Sequence, residues 1–149
     1  MAFPQDSAAP TDANILHASA VSIDGAVVLI TGGAGSGKSS LALALMSLGA
    51  ALIADDRVQL TRVGNQIMAD SPDSIRGKIE ARFVGILNAK AIGPLPLALV
   101  VDLEIWETAR IPPQRSKIVL GESLPLLHNS RTPQLAAAIL QYLKGGRSE

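Results

Sequence analysis

The feature that most constrains the fold is a glycine-rich stretch between two apolar runs. It reads Gly32-Gly-Ala-Gly-Ser-Gly-Lys38-Ser39, which matches the full GxxxxGK[ST] pattern. The run before it, Ala26–Thr31, is almost entirely apolar, as in a strand that is buried on both faces. Residues 41–48 favour a helix that ends at Gly49. Strand, loop and helix in this order predict a P-loop nucleotide-binding fold.

Each part of this loop has a physical reason to bind phosphate. Glycines can adopt positive φ and let backbone N–H groups approach phosphate oxygens, and the N-terminus of the next helix attracts the same anion. Lys38 supplies a positive charge, and Ser39 can ligate Mg²⁺. We expect a nucleoside triphosphate, ATP or GTP, with Mg²⁺, although the motif alone does not separate a kinase from a hydrolase or a switch. The expected nucleotide-binding residues are Gly32, Gly33, Ala34, Gly35, Ser36, Gly37, Lys38, Ser39 and Ser40.

Composition narrows the classes of partner. The 149 residues include 13 Lys and Arg and 13 Asp and Glu, so the net charge is near zero. This balance argues against a nucleic-acid surface or a polybasic membrane patch. Two Phe, one Trp and one Tyr cannot build a base-stacking platform. The absence of cysteine excludes disulfides and thiol nucleophiles.

The chain ends and the longest apolar runs indicate its organisation. Neither a secretory signal nor a bilayer-spanning run is present in the sequence, so a cytoplasmic location is the expectation. Residues 1–13 are rich in Ala, Pro, Ser and Asp and are expected to form a flexible tail. Residues 14–149 are then expected to form a single domain.

The remaining pattern predicts an α/β fold with several strands. Apolar runs on both sides of Asp24-Gly25 predict a β-hairpin. Residues 50–54 and 97–102 are further apolar strands, and residues 133–144 form an amphipathic helix. In residues 79–87, Glu80 and Arg82 alternate and are expected to share one face of a strand.

Carboxylates follow two of the predicted strands. Asp55-Asp56 ends one strand and Asp102 ends the other. Ligands of open α/β sheets bind beyond the carboxyl ends of strands, so either position suits a Mg-nucleotide. In the adjacent pair, one carboxylate can orient the metal shell while the other accepts a hydroxyl proton. A direct metal role for Asp102 remains an alternative.

Together these residues resemble the catalytic domain of HPr kinase/phosphorylase over about residues 14–110. The resemblance rests on the order of His17, the P-loop, Leu-Ile-Ala-Asp55-Asp56 and Ile79-Glu-Ala-Arg-Phe-Val-Gly-Ile86. The last stretch is similar to the family signature Ile-Glu-Val-Arg-Gly-Leu-Gly-Ile. The chain looks like a short form without the N-terminal domain of longer members. The resemblance implies a P-loop fold with a central mixed sheet, similar to phosphoenolpyruvate carboxykinases.

The resemblance also implies roles for individual residues. His17 would lie near the reacting phosphate, and Lys38 would bind the phosphates. Asp56 would be the general base for the serine hydroxyl, with Asp55 supporting it. Ser39 and Glu80 would assist Mg²⁺, and Arg110 resembles an active-site arginine of the family.

The implied function is ATP-dependent phosphorylation of a serine on an HPr-like phosphocarrier of the phosphotransferase system. Full-length members of the family are hexamers, so a homo-oligomer is expected. Three features depart from the family. Phe83 replaces a signature glycine, and Ser40 replaces the usual Glu after the P-loop serine. The family's Pro-Val-Arg-Pro-Gly-Arg-Asn loop, which is linked to the reverse reaction, is not recognisable, so reverse phosphorolysis is expected to be weak or absent. The alternatives are an ATP-binding sensor with little phosphoryl transfer and a P-loop kinase of a small metabolite.

Overall fold

A mixed β-sheet forms the centre of the protein in the computed structural model, which describes residues 13–149. The first half of the chain runs β1 (Ala13–His17), β2 (Ser19–Ile23), β3 (Ala26–Thr31), α1 (Lys38–Ser47), β4 (Ala51–Ala54), β5 (Arg57–Val63) and β6 (Gln66–Asp70). After a 3-10 turn at Asp73–Ile75 come β7 (Lys78–Ala81), β8 (Gly85–Asn88), β9 (Leu95–Trp106), β10 (Arg115–Val119), β11 (Glu122–Asn129) and α2 (Leu135–Gly145).

Strand order explains why the sheet is mixed. The path through the sheet is β1-β5-β6-β9-β3-β2-β4, and β11 joins β9 while also pairing with β10. The β3–β9 and β9–β11 pairs are parallel, and the other pairs of this sheet are antiparallel. The hairpin of β7 and β8 stands apart as a two-stranded sheet. The predicted α/β fold with a central mixed sheet is confirmed.

The central strand β3 is buried on both faces, as its apolar sequence predicts. Val27 and Leu29 belong to one buried cluster, whereas Val28 and Ile30 belong to another. This division follows from the alternation of side chains along a strand. Residues of both helices pack against the second cluster, and strands β5, β6, β10 and β11 contribute to the first. The P-loop thus follows the C-terminal end of a strand that is packed on both faces.

Several local predictions are confirmed. The β2–β3 hairpin turns at Asp24-Gly25, where both residues have positive φ. Helix α1 begins at Lys38, earlier than the apolar pattern indicates, and Gly49 follows its end with a φ of 107°. Here the N–H groups of Gly49 and Ala50 donate to carbonyls of the last helical turn.

Other expectations need correction. The apolar run before Asp24 is not one strand, because β1 ends at His17 and pairs with β5 while β2 begins at Ser19. Arg82 does not share a strand face with Glu80, because β7 ends at Ala81 and Arg82 lies in the following turn. Strand β11 was not predicted. Of the expected tail of residues 1–13, the first 12 lie outside the described residues. The last one, Ala13, belongs to β1.

Candidate active site

The P-loop connects β3 to α1 and forms one wall of the candidate site. Gly32, with a φ of 149°, begins the loop at a tight point, since a Cβ there would lie 2.5 Å from Ser36 Oγ. Gly37, with a φ of 101°, caps the helix without a side-chain hydrogen bond. The first N–H groups of the helix therefore have no partner within it, and they can bind an anion. In the described part of the chain, Ser36 Oγ is buried without a hydrogen-bond partner.

The side chain of Lys38 folds back over this loop. Its Nζ donates to the carbonyl oxygens of Gly32, at 2.8 Å, and Gly33, at 3.0 Å. On the far side of the loop, Glu104 accepts a hydrogen bond from the backbone N–H of Gly33. Glu104 was not expected to touch the loop. It lies two residues after Asp102 on the same strand, which places both side chains on one face.

Asp55 is the hydrogen-bonding centre of the site. Its Oδ1 accepts from Ser19 Oγ at 2.6 Å and from Ser39 Oγ at 2.7 Å, and its Oδ2 accepts from the backbone N–H of Glu80 at 3.0 Å. The residue is only 6% exposed. Asp55 therefore ties β2, α1 and β7 together beside the phosphate loop. Ser19 was missed in the sequence because it is one small polar residue in a buried run.

Asp56 has the opposite environment although it is the next residue. Its side chain is 73% exposed, and its φ of 72° turns the chain after β4. The nearest basic side-chain atoms are His17 Nδ1, at 3.9 Å, and Arg57 Nε, at 4.0 Å, which are both too far for a hydrogen bond. Among the described residues, no donor makes a hydrogen bond to this carboxylate. It can therefore accept a hydrogen bond from a hydroxyl group and take up its proton.

These groups surround one cavity of about 630 Å³, a volume suited to a nucleotide-sized ligand. The P-loop, the Asp55-Asp56 pair and the β7–β8 hairpin form its walls. Its lining consists of Ser19, Ala34, Gly35, Gly37, Lys38, Ser39, Ser40, Asp55, Asp56, Ile75, Lys78, Ile79, Glu80, Arg82 and Ile86.

The cavity gathers most of the expected site residues but not all of them. Gly32, Gly33 and Ser36 belong to the loop without lining the cavity. His17 does not line the cavity either, and its Nδ1 lies 3.9 Å from Asp56 Oδ1. Arg110 is exposed in the segment after β9 and does not line the cavity. Asp102 does not line it either, and its Oδ1 accepts the backbone N–H of Glu104. Of the two candidate strand ends, the structure therefore brings the Asp55 end to the P-loop serine.

The donor set fits a Mg²⁺ ion that arrives with a nucleotide. The residues from 13 to 149 contain no group of three or more His, Asp or Glu side chains that could hold a metal by themselves. Mg²⁺ usually takes only one or two protein ligands, and phosphates and water complete its octahedron. The hydroxyl of Ser39 donates a hydrogen bond to Asp55, so a lone pair of its oxygen remains available for a cation.

Comparison with known proteins identifies the family of this chain. The model of the HPr serine kinase C-terminal domain matches residues 9–112. The chain belongs to the HPr serine kinase C-terminal domain family. The match covers the P-loop, the Asp55-Asp56 pair and the β7–β8 hairpin, and it confirms the resemblance that was drawn from these motifs.

Individual members of the family show the same relationship. The HPr kinase/phosphorylase of Alkaliphilus metalliredigens is 38% identical over 116 residues, which are 72% of this chain and 37% of that protein. That of Halalkalibacterium halodurans is 34% identical over 145 residues, which are 92% of this chain and 45% of that protein. The chain thus spans less than half the length of these relatives.

A solved structure supports the fold. The HPr(Ser) kinase/phosphatase of Coxiella burnetii superposes with a TM-score of 0.74 at 26% sequence identity, covering 88% of each chain. The superposition covers a larger share of this chain than the family model does. In the described residues, neither helix is long and apolar enough to cross a membrane.

Proposed function

We propose that this chain is an ATP-dependent serine kinase that acts on an HPr-like phosphocarrier protein, with residues 14–149 as one kinase domain. The observation that carries the proposal is the placement of a free carboxylate, Asp56, in the same cavity as the phosphate-binding residues Lys38 and Ser39. Membership of the HPr serine kinase family supports a serine hydroxyl as the acceptor. A hydrolase would transfer the phosphoryl group to water and would need no acceptor serine.

The two neighbouring aspartates divide the chemistry. Asp55 already accepts three hydrogen bonds and holds the Ser39 hydroxyl in place, so its role is to orient the phosphate side of the site. Asp56 has an unoccupied carboxylate and accepts the proton of the serine hydroxyl as that oxygen attacks the γ-phosphorus. The bond between the γ-phosphorus and the bridging oxygen breaks, and ADP leaves. His17, whose Nδ1 lies 3.9 Å from Asp56 Oδ1, adds polarity and hydrogen-bonding capacity next to Asp56.

Binding of ATP relies on the loop. The amides at the start of α1 and the ammonium of Lys38 stabilise the charge of the phosphates, and Ser39 and Glu80 line the side where Mg²⁺ would be held. When bound, Mg²⁺ neutralises charge on the β- and γ-phosphate oxygens. We propose no role for Arg110, because it lies outside the cavity.

The direct test is phosphoryl transfer measured by intact mass. The purified chain is incubated with Mg-ATP and an HPr-like carrier, and a gain of one phosphate on a carrier serine is the expected result. Lys38→Ala and Asp56→Asn should each abolish the gain. Lys117→Ala is the matched control for the lysine. Asp24→Asn is the control for the aspartate, since Asp24 is also exposed and has a positive φ but lies in the distant β2–β3 turn.

Three results would change the proposal. If ATP binds but no carrier gains phosphate, the chain is an ATP-binding sensor. If Asp56→Asn keeps wild-type transfer, Asp56 is not the base. When the chain is mixed with a phosphorylated carrier and inorganic phosphate, little pyrophosphate should form. Rapid formation of pyrophosphate would contradict the expectation that phosphorolysis is weak or absent.

A further inference from the structure

The tip of the β7–β8 hairpin exposes an apolar surface beside the candidate site. This hairpin tip consists of Phe83, Val84 and Ile86, whose exposed fractions are 100%, 74% and 65%. Contiguous exposed apolar side chains commonly mark an interaction site. The tip contributes nothing to the two buried clusters. Its apolar character therefore has no explanation in the packing of the described residues.

The backbone conformation at Phe83 strengthens this conclusion. The N–H of Val84 donates to the carbonyl of Ala81 at 2.9 Å, and Phe83 has a φ of 70° while Arg82 does not have a positive φ. This is the pattern of a type II turn, which normally has glycine at the position of Phe83. A bulky residue is strained there, and its ring gains no burial in return. Such a residue at the rim of a site indicates a function outside folding.

The position of the tip indicates what can contact it. Glu80, three residues before Phe83, is bonded to Asp55 through its backbone N–H. Three residues span at most about 10 Å of backbone, so the Cα of Phe83 lies within about 10 Å of the Cα of Glu80, the residue that contacts Asp55. Ile86 belongs both to the tip and to the cavity lining, whereas Phe83 and Val84 lie outside the lining. A ligand contained in the cavity cannot cover the ring, but a larger substrate that inserts a side chain into the cavity can.

We propose that the hairpin tip is the docking surface for the protein substrate, with Phe83 as its central anchor. This inference rests on the proposed kinase function and names the partner as a folded protein that presents an apolar surface next to its acceptor serine. The continuous surface from Ile86 in the cavity to Phe83 outside it lets one partner deliver its serine to Asp56 while it covers the apolar tip. Aromatic side chains that become buried in this way often dominate binding.

Substitution of Phe83 by glycine tests docking without the risk of unfolding. Glycine tolerates a φ of 70°, so Phe83→Gly should be at least as heat-stable as the wild type. We expect its KM for the carrier to rise about tenfold, a change typical of a lost anchor, while kcat and the KM for ATP stay within about twofold. Phe83→Tyr keeps the ring and should keep the wild-type KM. Ile118→Ala, at an isoleucine on β10 that is 65% exposed, is the control.

Binding without turnover separates this inference from the kinase proposal. Carrier affinity is measured with the Lys38→Ala chain, with and without Phe83→Gly. If the wild type phosphorylates the carrier but Phe83→Gly leaves its KM unchanged, docking at the tip is refuted and the kinase proposal stands. If no transfer occurs but the carrier binds in a Phe83-dependent manner, docking stands without the kinase. If Phe83→Gly changes only the oligomeric mass, the tip binds a second copy and the inference is wrong.

Discussion

Replacement of Asp55 by alanine is the most informative perturbation of this protein. The carboxylate accepts hydrogen bonds from Ser19, Ser39 and the backbone N–H of Glu80, which belong to three different elements. Asp55→Ala removes all three acceptor contacts and leaves the fully buried hydroxyl of Ser19 without its partner. The neighbouring Asp56 makes no such contacts, so Asp56→Asn provides a matched control for loss of a negative charge.

The magnitude follows from the number and kind of bonds. A hydrogen bond to a charged group contributes about 1.5–3 kcal/mol, and the O–H···O distances of 2.6 and 2.7 Å fit the strong, charge-assisted class. Removal of the carboxylate also removes its cost of burial, which offsets part of the loss. Three bonds at the lower end of the range then give about 4 kcal/mol. For a chain of this length, that is a fall in Tm on the order of 10 °C.

The assay is thermal and urea unfolding of the two variants and the wild type, with phosphoryl transfer measured on the same samples. Asp55→Ala should lose both stability and transfer, whereas Asp56→Asn should lose transfer and change the free energy of unfolding by less than about 0.5 kcal/mol. A fall in Tm of less than about 3 °C for Asp55→Ala, or an equal fall for both variants, would refute the hydrogen-bonding role of Asp55.

Three further predictions concern other parts of the molecule. A hydrogen bond from Arg115 lowers the pKa of Glu107 from 4.5 to about 2. This carboxylate therefore stabilises the fold above pH 4.5 and loses its contribution as the pH falls toward 2. In urea unfolding, Glu107→Gln should lose less of its free energy of unfolding than the wild type over that pH range. Gly32→Ala places a Cβ 2.5 Å from Ser36 Oγ and should weaken ATP binding at least tenfold by calorimetry, and unchanged affinity would contradict the tight loop geometry. Ile139→Ala, at a fully buried position of α2, should cost about 3 kcal/mol of unfolding free energy in urea, and a cost under about 1 kcal/mol would show that α2 is not part of the core.

Local sequence signals predicted the phosphate-binding half of the fold well. The hairpin at Asp24-Gly25, the strand before Gly32 and the helix end at Gly49 all depend on contacts between near neighbours. Turn chemistry, glycine conformation and apolar runs report such contacts directly. The apolar run before Asp55-Asp56 also predicted a strand end there, and β4 ends at Ala54, directly before this pair.

Non-local pairing explains the errors. Strand β1 separates from β2 because its residues pair with β5, 40 to 48 residues later, and this pairing brings His17 opposite Arg57. Strand β11 forms a hairpin with β10 and also pairs in parallel with β9, a distant partner that the local sequence does not indicate. Arg82 leaves the strand because the hairpin turns at Phe83, a residue that favours extended structure and would not signal a turn.

The sequence by itself determined that a strand, a glycine-rich loop and a helix would build a phosphate site, since these elements are formed by adjacent residues. It also placed two carboxylates together at positions 55 and 56. Only the tertiary structure decided that Asp55 is buried and bonded to Ser19, Ser39 and Glu80 while Asp56 is exposed. The physical reason is that the burial and hydrogen bonds of Asp55 depend on β2, α1 and β7, whose contacting residues lie 16 to 36 positions away in the chain.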